Sequence, residues 1–185
     1  MRKASFCPLC AAPLTERPIE DRPRKWCGAC RFVLYENPAA AAATLVLDGP
    51  RVVLTRRATA PYRGTWTLPA GYQEVDETPV DTAVRETREE TGLEVEAFGL
   101  YDLLYTDDDP RKKGILAVYL CRPVGGELRA ADDADDARWF EIGALPTPIG
   151  FENNRRVLER LAREREAGGL VYVPVDSSTR GGSGA

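Results

Sequence analysis

The chain has 185 residues, 43% of them hydrophobic, enough for one good core and a small accessory module. Its net charge of −4 argues against a general nucleic-acid binder, which needs a basic surface to displace counterions, so nucleic acid is not the expected partner. Histidine is absent, which excludes Ser-His-Asp and Cys-His catalysis and leaves acid–base chemistry to carboxylates, lysine, tyrosine or metal-bound water.

From the N-terminus, Cys7-Pro-Leu-Cys10 and Cys27-Gly-Ala-Cys30 form two CxxC pairs with sixteen residues between them. This spacing suits a four-cysteine zinc ribbon, each pair on a turn and each offering two thiolates to one tetrahedral ion. Disulfides and a thioredoxin-like redox pair are the alternatives. The first suits an oxidising compartment, and the second lacks its surrounding βαβ pattern. No apolar stretch reaches the length of a membrane span, and the first residues lack the apolar core of a signal peptide. A cytoplasmic location, no membrane partner and a structural Zn²⁺ on Cys7, Cys10, Cys27 and Cys30 are therefore expected. Trp26 and Phe32 read as the ribbon's own core. Residues 1–36 form this module, and Asn37-Pro38 is a natural boundary.

Beyond it, AAAAATLVL and RVVLTRR read as two strands joined at Asp48-Gly49, a hairpin signal. Residues 50–70 lead through PYRGTWTLPAG into GYQEVDETPVDTAVRETREETGL, residues 71–93. Thr78 is a good N-cap, Pro79 suits the first helical position, and Gly92 can stop the helix in a left-handed conformation, so a helix is predicted over about 79–91. At about 100° per residue, Glu86, Glu89 and Glu90 share a face, while Val80, Ala83, Val84 and Thr87 point toward the core. Thr87 is a near-isostere of valine there, with a hydroxyl able to bond back within the helix. Glutamates held so close repel one another, and a hard divalent cation such as Mg²⁺ relieves that repulsion. A solvated helix laced with ion pairs at intervals of three or four is the alternative. Gly71, the offset of Glu77 and the preceding Leu68-Pro69-Ala70 favour the metal site.

Further strands are expected from Glu94 to Tyr105 and from Ile115 to Cys121, joined by the charged loop TDDDPRKKG. Cys121 reads as a buried, inert strand residue. After a turn at Gly125-Gly126, the acidic stretch ADDADD precedes a short strand, ARWFEI. A last helix is predicted from Phe151 to Ala167, with Val157, Leu158, Leu161 and Ala162 as its apolar stripe. The tail from 171 ends in the low-complexity run SSTRGGSGA, which is expected to be disordered at its end.

Residues 71–93 resemble the Nudix box, G-x₅-E-x₇-R-E-U-x-E-E-x-G-U, where U is aliphatic. Gly71, Glu77, Arg85, Glu86, Glu89, Glu90, Gly92 and Leu93 fall on the pattern, and Thr87 departs from it. The resemblance implies an α/β fold, a Nudix-type α/β/α sandwich with a mixed sheet over residues 37–170, preceded by the zinc ribbon. It also implies hydrolysis of a nucleoside diphosphate derivative with Mg²⁺ or Mn²⁺ held by Glu86, Glu89, Glu90 and the loop backbone at Gly71. Arg85 is implied to orient the carboxylates by pairing with Glu77. The catalytic base varies within the family. Here Asp132, Asp133, Asp135 and Asp136 stand where a downstream acidic loop often supplies one, or form a solvated acidic turn. The ribbon, NPAAAAATLVL, YRGTWTLPAGYQEVDE and a late GFxxxR element look like the FAD/ADP-ribose pyrophosphatase type, and no NADH-type SQPWPFP segment follows Leu93. Pro110, seventeen residues beyond the box, adds a weak cue to the same type. Arg57, Tyr62, Trp66 and Tyr105 are candidate substrate contacts, with Tyr72 and Phe151 as further rings able to stack a flavin or adenine. The implied partner is a small nucleotide substrate, and a homodimer is the state the family suggests.

Overall fold

The computed structural model describes residues 4–109 and 112–175. Pro110 and the SSTRGGSGA tail lie outside these. The chain divides into two compact units, Met1–Pro38 and Ala39–Ala185.

In the first unit, β1 (Leu14–Ile19), β2 (Arg22–Cys27) and β3 (Val33–Leu34) form an antiparallel sheet in that order. Glu20 and Asp21 connect β1 to β2, both at positive φ (51° and 61°), the twist that suits a two-residue hairpin loop. The ladder closes with Leu14 opposite Cys27, so the open end of the hairpin delivers a cysteine. Leu14 is buried with Cys7 and Cys27, and Ala12, Phe32 and Leu34 pack around them. Phe32 thus belongs to the small core, as the sequence suggests. Trp26 does not: it is half-buried outside that cluster, beneath the Arg17 guanidinium at 4.5 Å from the ring centroid. Strand alternation explains this, because Trp26 is adjacent to Cys27 and faces the opposite way.

The second unit is a mixed sheet between two helices. Its strands are β4 (Ala39–Asp48), β5 (Arg51–Arg57), β6 (Trp66–Thr67), β7 (Ala70–Tyr72), β8 (Leu93–Thr106), β9 (Gly114–Gly126), β10 (Ala134–Glu141) and β11 (Val173–Pro174). They run in the order β10-β5-β4-β9-β8-β11, with β6 on β5 and β7 on β4. The β4–β9 pair is parallel, and the other pairs are antiparallel. The helices are α1 (Pro79–Thr91) and α2 (Glu152–Glu166).

Central strand β4 shows why its sequence is almost continuously apolar: both its faces are covered. Ala43, Leu45 and Leu47 join the cluster that receives Val157, Leu158 and Leu161 of α2. Ala42 and Val46 join the one that receives Ala83 of α1. Helix α1 starts and stops where its capping residues dictate. Thr78 and Asp81 form a reciprocal capping box, Pro79 opens the first turn, and Gly92 closes the helix at φ 70°. Helix α2 starts differently. Phe151, at φ 59°, provides no side-chain cap, and Asp108 from the loop after β8 accepts the Glu152 N–H at 2.7 Å. Past α2 the chain stays on the sheet, since Val173 and Pro174 pair with Leu100 and Gly99 of β8.

Thr87 occupies the core position expected of it and is fully buried. Its hydroxyl donates to the Ala83 carbonyl at 2.8 Å and sits 2.7 Å from the hydroxyl of Thr44, so the Thr44 proton points to Thr87. Helix and sheet are therefore joined by a polar pair where an aliphatic side chain is usual. Replacing Thr87 alone by Val leaves the Thr44 hydroxyl unpaired and is expected to cost about 1–3 kcal/mol. Replacing both by Val should recover most of the loss, because an apolar pair of the same shape removes both partners together. Denaturant unfolding of the two single variants and the double variant measures this; simply additive losses would contradict the pair.

Candidate active site

The α1 glutamates open into a cleft of about 450 Å³ in the second unit. Helix α1, the β7 strand, Arg57 at the end of β5, the loop after β8, the 132–133 turn and the start of α2 line it. Among the described lining residues are eight carboxylates, Glu74, Glu86, Glu89, Glu90, Asp108, Asp109, Asp132 and Asp133, against three cations, Arg57, Arg85 and Lys112. This excess of negative charge would repel a phosphate ester on its own.

Arg85 organises the carboxylates. Its Nε and Nη2 donate to the two oxygens of Glu77, the Nη2 bond at 2.9 Å. Nη1 donates to Glu86 at 2.7 Å and Glu89 at 2.9 Å, and Nη2 also reaches the Tyr72 carbonyl at 3.1 Å. The planar fork suits this task better than a lysine ammonium, since two parallel bonds to Glu77 fix its plane. Glu77 in turn accepts from the Thr82 hydroxyl at 2.9 Å and the Glu74 N–H at 3.1 Å. The Arg85 guanidinium holds the Glu77 carboxyl down at about 2, with the Glu74 and Thr82 bonds adding to the effect against the cost of burial.

A carboxylate whose folded pKa is depressed contributes stability above its ordinary value and loses it as pH falls toward the folded one. For Glu77 that window runs from 4.5 down to about 2. Glu77→Gln should therefore melt below the wild type at pH 6, and the gap should narrow as pH falls below 4.5. Melting temperatures of both proteins across that range check this, and a gap independent of pH would contradict it.

Glu90 is the deepest of the three helix carboxylates, with 6% of its surface exposed. It accepts the Thr55 hydroxyl at 3.1 Å. Burial pushes its carboxyl up to about 8, against the pull of Thr55 and with Glu86 adding to the rise. Burial likewise raises Glu86. Gly71 is required by space: a Cβ there would lie 2.0 Å from the Glu86 carboxyl carbon. The β7 backbone thus approaches the carboxylates as closely as a side chain would. Carboxylate oxygens on one helix face, with Glu86 and Glu90 both raised in pKa by burial, are the donor type a hard divalent cation of the Mg²⁺ or Mn²⁺ kind takes.

The aromatic candidates separate. Phe151 and Tyr72 line the cleft. Tyr62 packs on Phe151 with ring centroids 4.6 Å apart, and the Arg57 guanidinium lies 5.2 Å from the Phe151 centroid. Arg57 also donates from Nε to the Pro61 carbonyl at 2.9 Å. Trp66 stands elsewhere, 8% exposed in the α2-side core and edge-on to Phe140. Thr67 and not Trp66 is paired with Thr55, so alternation turns the tryptophan to the other face. Tyr105 is 54% exposed, and its carbonyl accepts from the Asn153 side-chain amide at 2.9 Å.

The acidic stretch divides as well. Asp132 and Asp133 line the cleft, whereas Asp135 pairs with Arg56 at 2.6 Å and Asp136 with Arg138 at 2.6 Å on β10. Sequence reasoning did not find Thr55, Asp108 or Asn154. Asn154 is buried beside the cleft and accepts the Leu68 N–H at 2.9 Å. A threonine at the end of an otherwise apolar strand was the one available signal.

In the first unit the four sulfurs of Cys7, Cys10, Cys27 and Cys30 lie within 4.8 Å of one another, with two contacts at 3.5 Å. Tetrahedral coordination at about 2.3 Å places sulfurs roughly 3.8 Å apart, so the donor set fits zinc. The two knuckles repeat one geometry: Ala11 N–H bonds to Cys7 O and Arg31 N–H to Cys27 O, both from residues at positive φ. The Cys30 backbone N–H lowers the Cys27 thiol to about 7, while, against the Phe32 backbone N–H, desolvation and the neighbouring thiols push Cys30 up to about 12, so the four sulfurs share their protons unequally.

The chain matches the NUDIX domain over residues 37–161 and the Nudix N-terminal zinc ribbon over 5–36. It belongs to the Nudix family and is a hydrolase of that family. It is 36% identical over 126 residues to an ADP-ribose pyrophosphatase of Methanocaldococcus jannaschii, covering 68% of this chain and 74% of that protein. It is 32% identical over 160 residues to the Homo sapiens 8-oxo-dGDP phosphatase NUDT18, covering 84% of this chain but 45% of that one, so it spans less than half of the human protein. The structure of a NUDIX hydrolase from Nitrosomonas europaea superposes with a TM-score of 0.84 at 31% identity, over 91% of this chain and 96% of the other. No helix among the described residues is long and apolar enough to cross a membrane.

Proposed function

We propose that the chain hydrolyses the diphosphate bond of nucleoside diphosphate derivatives, with FAD and ADP-ribose as the preferred substrates, giving AMP and a second phosphate ester. The observation that carries this reading is that Glu86, Glu89 and Glu90 line one cleft, the first two held by the Arg85 fork. In this reading Glu86, Glu89, Glu90 and the Gly71 backbone hold Mg²⁺ or Mn²⁺. When bound, those ions neutralise the diphosphate and acidify the attacking water. Arg85, fixed by Glu77, keeps Glu86 and Glu89 pointed inward. A water oxygen forms the new bond to phosphorus, the bridging P–O bond breaks, and the water's proton passes to a cleft carboxylate. Asp132 and Asp133 stand in the cleft for that role beside the helix glutamates, and the departing phosphate keeps the bridging oxygen. Phe151 and Tyr72 offer the apolar surface for a base, with Arg57 beside them for a phosphate.

ADP-ribose is supported by the likeness to the Methanocaldococcus jannaschii ADP-ribose pyrophosphatase, and the missing NADH-type segment argues against NADH. The ribbon, residues 1–36, is assigned a structural Zn²⁺ and no catalytic part. A cytoplasmic location, where thiols are kept reduced and free to take a metal, belongs to the same reading. A panel of FAD, ADP-ribose, NADH and a capped RNA with Mg²⁺ tests the assignment. FAD and ADP-ribose should be cleaved fastest. NADH cleaved at least about tenfold faster, a difference of roughly 1.4 kcal/mol in barrier, would replace the substrate while leaving the reaction class standing.

A further inference from the structure

Strand β5 turns Val53, Thr55 and Arg57 toward α1 in the two-residue rhythm of a strand. Val53 is fully buried in the apolar cluster beneath the helix, and Arg57 reaches the cleft. Thr55 lies between them, 2% exposed, in a place where valine would fill the same volume. Its hydroxyl therefore needs a partner inside the protein. Two oxygens are in range. Thr67 Oγ1, directly opposite on β6, is 3.5 Å away, and Glu90 Oε2 is 3.1 Å away. The hydroxyl has one proton, and the shorter, carboxylate-directed bond takes it.

This contact differs from the other threonine bonds of the helix. Thr87 and Thr91 bond to carbonyls within α1, Thr82 reaches Glu77 from within the same helix and its cap, and Thr44 meets Thr87 from the sheet without touching a carboxylate. Thr55 reaches Glu90 from the sheet. Glu86 and Glu89 are oriented by Arg85, but no bond from Arg85 reaches Glu90 among those described. Of the three helix carboxylates, Glu90 is thus the one held from across the helix–sheet interface, by the Thr55 hydroxyl and the Ala70 backbone N–H, and Thr55 supplies the one side chain of that pair.

We propose that Thr55 is a positioning residue, holding the Glu90 carboxylate in the orientation that takes a divalent cation. The proposal rests on the reading of Glu90 as a metal ligand given under Proposed function. β-branching stiffens the Thr55 rotamer, so the hydroxyl is presented in one direction and is not left to search. Partners that orient metal ligands from behind typically contribute 10–100-fold in metal affinity. A threonine that merely filled space would contribute none.

The test is direct Mn²⁺ binding to the full-length protein with its ribbon zinc retained and its cleft freed of Mg²⁺, read from the electron paramagnetic resonance of free Mn²⁺ without nucleotide. Thr55→Val should weaken Mn²⁺ about 10–100-fold, and Thr55→Ser, which keeps the hydroxyl, should restore most of the loss. Thr55→Ala against Thr55→Ser isolates the oxygen even where the valine variant folds poorly. In a Glu90→Gln background, Thr55→Val should add little, because the bond it removes no longer orients a ligand. In turnover, Thr55→Val should shift the Mg²⁺ dependence to higher concentration and recover as metal is raised. Wild-type affinity in both Thr55→Val and Thr55→Ala would overturn the positioning role alone. A wild-type protein that takes up no Mn²⁺ in the cleft would overturn the ligand reading and this proposal with it.

Discussion

Glu90→Gln is expected to lower turnover by about three orders of magnitude at saturating Mg²⁺, with the fold intact. A neutral amide holds a hard divalent cation poorly, and charge stabilisation by such an ion amounts to several kcal/mol of the barrier. The fold should survive because Gln has the same shape and the site is already costly for charge. Burial lifts the Glu90 carboxyl to about 8, so a charge at this position is held at a cost that the neutral Gln does not incur. Glu89→Gln should lose activity to a similar extent, although Glu89 is the more exposed side chain and also gives up its bond to Arg85. Steady-state rates and melting curves of the two variants decide the matter. Near-normal activity in both would remove these residues from the metal site.

The largest effect on stability is expected from Cys7→Ser combined with Cys10→Ser. The first unit buries little beyond Leu14 and its neighbours, too small a core to fold a 36-residue segment alone. Zinc bound by four thiolates contributes on the order of 10–16 kcal/mol at neutral pH, which becomes folding free energy when the apo segment is unfolded. The double variant should lose its zinc, measured as metal per chain by mass spectrometry, and its ribbon amides should lose protection from hydrogen exchange. Every described residue lining the acidic cleft belongs to the second unit, so activity per folded molecule should largely persist. A wild-type chain purified without chelator and containing no zinc would refute the assignment. So would a double variant whose ribbon stays protected.

Much of this was legible in the sequence because the signals are local. Thr78, Pro79 and Gly92 delimit α1 through capping, which involves only neighbours along the chain. Asp48-Gly49 marks the β4–β5 hairpin, and the paired CxxC knuckles bring their own turns. The arc of Glu86, Glu89 and Glu90 follows from helical pitch alone. The core position of Thr87 and its bond back to Ala83 follow from the same pitch.

What the sequence left open depended on which way a strand faces and on contacts between distant residues. Trp66 and Phe151 are both aromatic and both near glycines, yet β6 alternation sends the first into the core while the second lines the cleft. At the start of β10, where the register with β5 breaks between Ala134 and Asp136, Asp135 and Asp136 are tied to arginines, and the turn before it leaves Asp132 and Asp133 at the cleft. Asp108 capping α2 joins positions 44 apart, Thr44 meeting Thr87 joins positions 43 apart, and Thr55 meeting Glu90 joins positions 35 apart. Spacing carries no information on such pairs, because they exist only once β4 and β5 lie beneath α1. The amino-acid sequence by itself determined the helix, the knuckles and the set of carboxylates. The packing of helix against sheet decided which hydroxyls, rings and aspartates stand beside them, since a short polar side chain finds its partner only where the backbone brings one within about 3 Å.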